Sequence, residues 1–142
     1  MQPTIQIPQT QNLQSKSNIS YSRQIVYDVF YSTPSVKWTN KPALESGFYK
    51  KIRKNEYFFG INYELWKSNG ISICLSFKLS GEEGLHKFLL LDRFIKHNHQ
   101  NELHLSNFNG NAVVEFRNDY FEREKDVLKI KELVGSLCAV VE

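Results

Sequence analysis

Cysteine is scarce in this chain, and its spacing excludes the chemistry that paired cysteines support. The 142 residues include two cysteines, Cys74 and Cys138, which lie far apart and form no Cys-x-x-Cys pair. A disulfide framework or a zinc site needs a denser set of cysteines, so neither is expected. Two free thiols in a reducing compartment are the simpler interpretation, and a cytoplasmic location is predicted from it.

Long apolar runs are also missing. No apolar stretch approaches the roughly 18 residues that suggest a membrane-spanning helix. Residues 1–6 have neither the basic start nor the apolar core of a signal peptide. We therefore expect no membrane partner. The net charge is only +3, which is too small by itself to imply binding to nucleic acid.

The motifs that carry common catalytic chemistry do not occur. The chain has no Gly-x-Ser-x-Gly, no phosphate-binding P-loop spacing and no Gly-x-Gly-x-x-Gly. His97 and His99 flank a predicted helix end, without the two ligands four residues apart that a catalytic zinc usually has. We therefore expect no metal, no cofactor and no catalytic residue, and predict that the protein is not an enzyme. An enzyme with an unrecognised site remains an alternative.

Aromatic residues, by contrast, make up 13% of the chain, and many of them alternate with polar residues around two glycine-containing turns. The first predicted hairpin joins residues 57–66 to 71–79 through a type I turn that ends in a left-handed Gly70. This turn pairs Leu65 with Ile73 and makes one face of the hairpin wholly apolar. Because a one-residue slip would move every side chain to the other face, this register is preferred over a two-residue turn.

The second predicted hairpin has a shorter connection. Residues 102–107 and 112–117 are joined by a type I′ turn at Asn109-Gly110, a pair that favours this turn because both positions need positive φ. The turn sets Leu105 opposite Val114 and again places the apolar residues on one face.

A fifth strand is predicted over residues 48–54, with a turn at Asn55-Glu56. Pairing around this turn sets Phe48 opposite Tyr63. It also puts Lys50 on the apolar face, which suits an edge strand whose lysine side chain extends to solvent.

The N-terminal third is expected to be less regular. Residues 1–18 are polar and bury too little apolar surface to offset the entropy of ordering, so they predict a flexible tail. A short helix follows over residues 20–32, with Ser20 or Ser22 as its N-cap. Residues 33–47 include two prolines and several Ser and Thr residues, a composition typical of a long loop.

Each hairpin runs into an amphipathic helix. Residues 80–83 (Ser-Gly-Glu-Glu) match a capping box ahead of an apolar stripe that includes Phe88 and Leu89, and this helix is expected to end near residues 97–98. The last helix is expected after residues 118–119. Its apolar residues recur at helical spacing: Val127, Ile130, Leu133, Val134, Leu137 and Val141.

The predicted fold class is α+β, with a single domain over residues 19–142. Helices pack on one face of a five-stranded antiparallel sheet, in the order α-β-β-β-α-β-β-α. This order is similar to that of small dimeric bacterial chaperones of secretion effectors, by topology alone. The predicted core consists of Phe59, Ile61, Tyr63, Leu65, Ile73, Leu75, Phe77, Leu89, Leu105, Val114, Phe116, Ile130 and Leu137.

The outer face of the sheet is where a function is expected. The register places a set of aromatic, cationic and polar side chains there: Tyr49, Lys51, Arg53, Phe58, Asn62, Trp66 and Lys78. Aromatic residues and arginine are enriched in protein interfaces, so we expect a non-enzymatic protein-interaction module such as an adaptor, chaperone or inhibitor. Aromatic residues beside cations also suit single-stranded nucleic acid, which is the second hypothesis.

The sequence leaves two points open. The polar tail or the segment 33–47 could cover the outer face, which would then belong to the core. The sequence also leaves open the identity of the partner and the oligomeric state, including a homodimer.

Overall fold

The computed structural model describes residues 7–41, 44–52, 55–117 and 127–142, and their side chains except those of residues 7–18, Ile52 and Asn55. Four helices and six strands lie within these ranges. In chain order they are α1 (Ile7–Tyr31), β1 (Lys37–Lys41), β2 (Glu45–Ile52), β3 (Asn55–Asn62), α2 (Tyr63–Asn69), β4 (Ile73–Lys78), α3 (Gly81–Asn98), β5 (Leu103–Phe108), β6 (Asn111–Phe116) and α4 (Val127–Val141).

The described strands form one antiparallel sheet in the order β1-β2-β3-β4-β6-β5. Helices α1, α3 and α4 pack on one face, called here the inner face, and enclose the main apolar core. The short helix α2 contributes Leu65 to a smaller apolar cluster with Ile71, Cys74 and Val113 on the other face, the outer face. The predicted α+β class with an antiparallel sheet is therefore confirmed.

The predicted count of five strands is wrong, because the segment expected to be a loop includes a strand. Strand β1 pairs with β2 from Lys37, opposite Tyr49, to Lys41, opposite Glu45. Pro34 precedes this strand in the sequence and Pro42 follows it. The prolines therefore flank five residues that can pair, and their loop signal concealed the strand between them.

The first predicted hairpin is interrupted by helix α2, so its predicted register is wrong. Strand β3 ends at Asn62, whose side-chain oxygen accepts hydrogen bonds from the backbone N–H groups of Glu64 at 3.0 Å and Leu65 at 3.1 Å. An asparagine in this position starts a helix by satisfying N–H groups of the first turn. The predicted pair of Leu65 with Ile73 is therefore absent.

Gly70 has the predicted positive φ, but for a different reason. Its φ is 74°, and its N–H donates to the Trp66 carbonyl at 3.0 Å. This left-handed glycine closes helix α2 instead of forming a bulge in a hairpin. Strands β3 and β4 then pair with Phe59 opposite Leu75, where the sequence predicted Tyr63 opposite Leu75.

The register between β2 and β3 also differs from the prediction. Phe48 lies opposite Phe59, not opposite Tyr63, and Lys50 lies opposite Tyr57. Residues 55–56 belong to β3 instead of forming the turn. The shift from residue 63 to residue 59 is four positions (63 − 59), an even number, so every described side chain of β2 keeps its predicted face.

The second hairpin is confirmed. Leu105 lies opposite Val114, and Leu103 opposite Phe116. The turn has φ values of 52° at Asn109 and 82° at Gly110, as a type I′ turn requires.

The predicted helices agree with the observed ones only in part. Residues 20–32 are largely helical as predicted, but α1 starts at Ile7, within the segment predicted to be a tail, and Ser20 and Ser22 lie inside it. Helix α3 starts after Ser80, whose side chain makes no capping hydrogen bond. The stripe predicted for the last helix is confirmed, with Ile130, Leu137 and Val141 fully buried.

Most of the predicted core is buried, with two exceptions. Leu89 is 54% exposed, and Leu105 is half-buried. Helix α3 instead turns Leu91 and Ile95 toward the sheet. Leu90, Leu89 and Leu85 are apolar as well, so the stripe of this helix is ambiguous in sequence.

Candidate interaction surface

The outer face of the sheet carries an aromatic pair on β2 and β3. Tyr49 and Phe58 are cross-strand neighbours, with ring centroids 5.1 Å apart and planes inclined by 52°. Phe58 is only 7% exposed, because its ring lies over two glycines, Gly47 and Gly60, that leave room for it. Phe58 therefore supports the surface from below, and Tyr49 is the accessible aromatic of the pair.

The orientation of Tyr49 is fixed by a carboxylate. Its hydroxyl donates to Oε2 of Glu45, four residues earlier on the same strand, at 2.6 Å. Partial burial, and then this hydrogen bond to Glu45, raise the pKa of Tyr49 above its ordinary value. The phenol therefore stays protonated at neutral pH and keeps its bond to the carboxylate.

Tyr49 stands between two shallow depressions. The first has a volume of about 300 Å³ and lies over β2, β3 and β4. The second has a volume of about 290 Å³ and lies toward β1, where Lys37 and Lys41 contribute to its wall. Tyr49 and Glu56 belong to the walls of both. The first depression is lined by Glu45, Tyr49, Glu56, Tyr57, Phe58, Asn62, Ser76, Lys78 and Asn111.

Four of the seven predicted binding residues meet at the first depression: Tyr49, Phe58, Asn62 and Lys78. Asn62 also has a structural role there as the N-cap of α2. Lys51 is exposed on the same face, opposite Glu56, but does not line the depression. The structure thus brings together four of the five described residues whose faces the sequence predicted correctly.

The other two predicted residues do not join this group. Trp66 lies on helix α2, not on a strand, so its predicted place on the sheet face is wrong. It packs against the main core and meets the Tyr63 ring edge-on at 6.3 Å. Arg53 lies outside the described residues.

Two acidic residues on this surface, Glu45 and Glu56, are not predicted from the sequence. Glu45 lay within the segment predicted to be a loop, and Glu56 lay in the predicted turn, so neither was assigned to a strand. Alternation along β2 and β3 could have found both once the strands were extended. With Lys51 and Lys78, they give the outer face charges of both signs.

A second concave surface was not predicted. A groove of about 250 Å³ lies on the inner side, between helix α1 and the edge strand β1. Its walls include Arg23 and Tyr27 from the helix and Trp38 and Asn40 from the strand. The sequence placed Trp38 in a loop and gave no signal that Arg23 would lie beside it, because the two elements meet only through tertiary packing.

The described residues offer little for covalent or metal chemistry. No three His, Cys, Asp or Glu side chains among them are grouped closely enough to hold a metal ion. Both cysteines are buried and free, and burial raises the pKa of Cys74 and of Cys138 to about 12. A thiol that stays protonated is a poor nucleophile.

Two further findings concern membrane-spanning helices and similarity to known proteins. Within the described ranges, no helix combines the length and the apolar character needed to cross a membrane. Comparison with protein-family models, curated proteins and solved structures finds no match to this chain.

Proposed function

We propose that the protein is a non-enzymatic protein-interaction module that binds another protein through the outer face of β1 to β4, centred on Tyr49. The observation that carries this proposal is the position of Tyr49 between two depressions, with its hydroxyl bonded to Glu45 and its ring packed on Phe58. A tyrosine fixed in this way loses little conformational entropy when a partner packs on it.

The surroundings of Tyr49 fit a protein partner. Interfaces combine a few aromatic anchors with a polar rim, and their charged residues tune the rate of association. Here the rim carries Glu56 and Lys78 beside Asn62 and Ser76, so both signs of charge are available. A partner surface with matched lysines and carboxylates would pair with them.

A nucleic-acid partner is less well supported. The carboxylates of Glu45 and Glu56 would repel a phosphate backbone at the centre of this surface. Among the described aromatic residues that line the first depression, Tyr49 alone is accessible for base stacking, because Tyr57 and Phe58 are buried. Single-strand binders present several accessible aromatic rings in a basic groove.

The test compares Tyr49→Ala with Tyr31→Ala in quantitative capture of partners from an extract of the native host, followed by affinity measurement with the isolated partner. Tyr31 is 70% exposed and lies on α1, so its variant controls for loss of an exposed tyrosine elsewhere. Tyr49→Ala should weaken binding by about 2 kcal/mol or more, roughly thirtyfold, as loss of an interface anchor does. Tyr49→Phe should weaken it less, because the ring remains.

Other results would overturn the proposal. If folded Tyr49→Ala binds the partner with the same affinity as the wild type, the outer face is not the binding surface. If Tyr31→Ala alone loses binding, the partner binds through α1 and not through the outer face. A steep fall of affinity with salt, together with captured nucleic acid, would favour the second hypothesis. Lys51→Ala should alter mainly the association rate.

A further inference from the structure

A directed chain of hydrogen bonds lies at the groove between α1 and β1. The Ser46 hydroxyl lies 2.6 Å from Oδ1 of Asn40, an acceptor, so its single proton points there. Ser46 must then accept from the Tyr63 hydroxyl, 3.0 Å away. The Tyr63 oxygen in turn accepts from Nε of Arg23 at 3.0 Å. In each of these three hydrogen bonds the donor therefore lies on the Arg23 side and the acceptor on the Asn40 side.

This direction leaves hydrogen-bond donors at both ends of the series of hydrogen bonds, on Arg23 and on Asn40. Arg23 has used Nε and keeps the N–H groups of its two terminal nitrogens. Asn40 has used its oxygen as an acceptor and keeps its amide NH₂ group. Arg23 and Asn40 are both exposed to solvent, and no described residue accepts a hydrogen bond from either set of donors, so a ligand can reach them. Arg23 is also the one charged residue among the described residues that line the groove. A ligand here must supply acceptors, and a negative charge is favoured.

The Arg23 guanidinium is held in place before any ligand binds. Besides its hydrogen bond to Tyr63, its central carbon lies 5.6 Å from the centre of the Tyr63 ring, in a cation–π contact. Tyr63 itself is 7% exposed, and its backbone N–H donates to the Leu44 carbonyl at 3.0 Å. An ordered guanidinium fork is well suited to bind a carboxylate through two parallel hydrogen bonds.

The rest of the groove is aromatic and small. Tyr27 and Trp38 meet edge-to-face at 5.5 Å, and Val26 is fully buried beside them. A volume of about 250 Å³ lies below the range of roughly 300–1,000 Å³ typical of drug-sized ligands. The space therefore suits one ring and a short chain. Aromatic side chains bind such a ring through stacked or edge-to-face contacts.

We propose that the groove between α1 and β1 is a binding site for an aromatic carboxylate, with the carboxylate on the Arg23 guanidinium, the ring against Tyr27 and Trp38, and the Asn40 amide as a further donor in the groove wall. The carboxylate can come from a free aromatic acid or from the C-terminal residue of a peptide, since both present the same group. The site lies on the opposite side of the sheet from Tyr49 and does not depend on the function proposed for the outer face.

The experiment titrates the full chain with 3-phenylpropionate and with its neutral amide, followed by NMR. The chain has two tryptophans, and we expect the indole N–H signal of Trp38 to shift while that of Trp66 stays in place. The acid should bind at least tenfold more tightly than the amide, because only the acid offers charged acceptors. A second arm compares a short peptide ending in a free phenylalanine with the same peptide amidated.

Two variants test the donors directly. Asn40→Asp is nearly the same size but puts a negative charge in the wall of the groove, which offsets the charge of Arg23 and repels the ligand, so it should weaken binding of the acid about tenfold or more. Arg23→Lys keeps the charge but loses the fork, and should weaken binding about tenfold or more. Circular dichroism of each variant verifies that the fold is retained. Should Asn40→Asp fail to fold, the Arg23→Lys comparison carries the test.

The outcomes distinguish a small-molecule site from a site for a peptide C-terminus, and both from the absence of a site. Binding of the free acid indicates a small-molecule site, and binding of the free-carboxylate peptide alone indicates a peptide terminus. Equal binding of acid and amide, or no shift of the Trp38 signal with any probe at millimolar concentration, would overturn the proposal. Tyr49→Ala should leave the titration unchanged, so failure here is distinct from failure of the outer-face interface.

Discussion

Gly47 and Gly60 lie directly opposite each other in β2 and β3, and the ring of Phe58 covers both. A Cβ atom on Gly47 would overlap the Phe59 carbonyl oxygen and would lie 2.7 Å from the Gly60 Cα and 2.9 Å from the end of the Phe58 ring. The two strands therefore approach in a way that allows no side chain at either position. Because Tyr49 packs on Phe58, this pair of glycines also sets the height of the proposed interaction surface.

Gly47→Ala should destabilise the protein by about 1–3 kcal/mol, the range for overpacked positions. The added methyl group would displace backbone atoms, which cannot relax as a flexible side chain can. Urea unfolding measures the effect. Gly135→Ala is the matched control, because Gly135 lies in α4 with open space around its Cβ position and should gain about 0.5–1 kcal/mol from better helix propensity. Similar unfolding midpoints for the two variants would contradict the close approach.

Leu91→Ala should cost about 2–5 kcal/mol, whereas Leu89→Ala should cost well under about 1 kcal/mol. Leu91 is fully buried, and Leu89 is 54% exposed on the same helix. The two variants remove the same atoms from positions two residues apart in one helix, so the difference reports which side of α3 faces the core. Thermal and urea unfolding measure it. A larger loss for Leu89→Ala would mean that the helix faces the sheet with the stripe first predicted from the sequence.

Ser72→Ala should stabilise the protein by about 1 kcal/mol. The Ser72 hydroxyl is buried, and no residue in the described part of the chain gives it a hydrogen bond. A buried polar group without a partner costs free energy that an alanine avoids. Ser46→Ala is the control, since its hydroxyl bonds to Asn40 and Tyr63 and its loss should destabilise. A lower unfolding midpoint for Ser72→Ala would indicate a partner for that hydroxyl.

Stability should fall as the pH rises from about 9 toward about 12. Burial raises the pKa of Cys74 and of Cys138 from 9.0 to about 12. Above pH 9 the unfolded chain releases thiol protons that the native state retains, so the unfolded state is favoured progressively. Melting temperatures between pH 7 and 10.5 measure the decline. Cys74→Ala should flatten it even if the variant is less stable at pH 7, and an unchanged slope would contradict the assignment.

Local signals explain which parts of the fold could be predicted. The second hairpin was correct because Asn109-Gly110 specifies one turn type and the flanking strands agree with it. The first hairpin failed because the same left-handed Gly70 can end a helix as well as a bulged turn. What decided between them was the cap provided by Asn62, together with the packing of Leu65 against the sheet, and the latter is not visible in local sequence.

The candidate sites likewise divide into residues that local sequence predicts and residues that only tertiary packing brings together. Tyr49 and Phe58 could be assigned to the outer face because alternation along a strand survives an even shift in register. The groove could not be found, since Arg23 reaches Tyr63 across forty residues of chain and Trp38 was concealed between two prolines. Such a site depends on how α1 packs against the edge of the sheet, and no local pattern encodes that placement.

Strand β1 has a consequence for how the molecule behaves in concentrated solution. It is an outermost strand, it is only five residues long, and lysines stand at both of its ends. An edge of this kind leaves backbone groups free to pair with another chain. A second copy approaching antiparallel would bring its lysines against those already there, and the repulsion would act before backbone hydrogen bonds could form. The partner proposed for the outer face would thus pack on the sheet while this edge resists growth into fibrils.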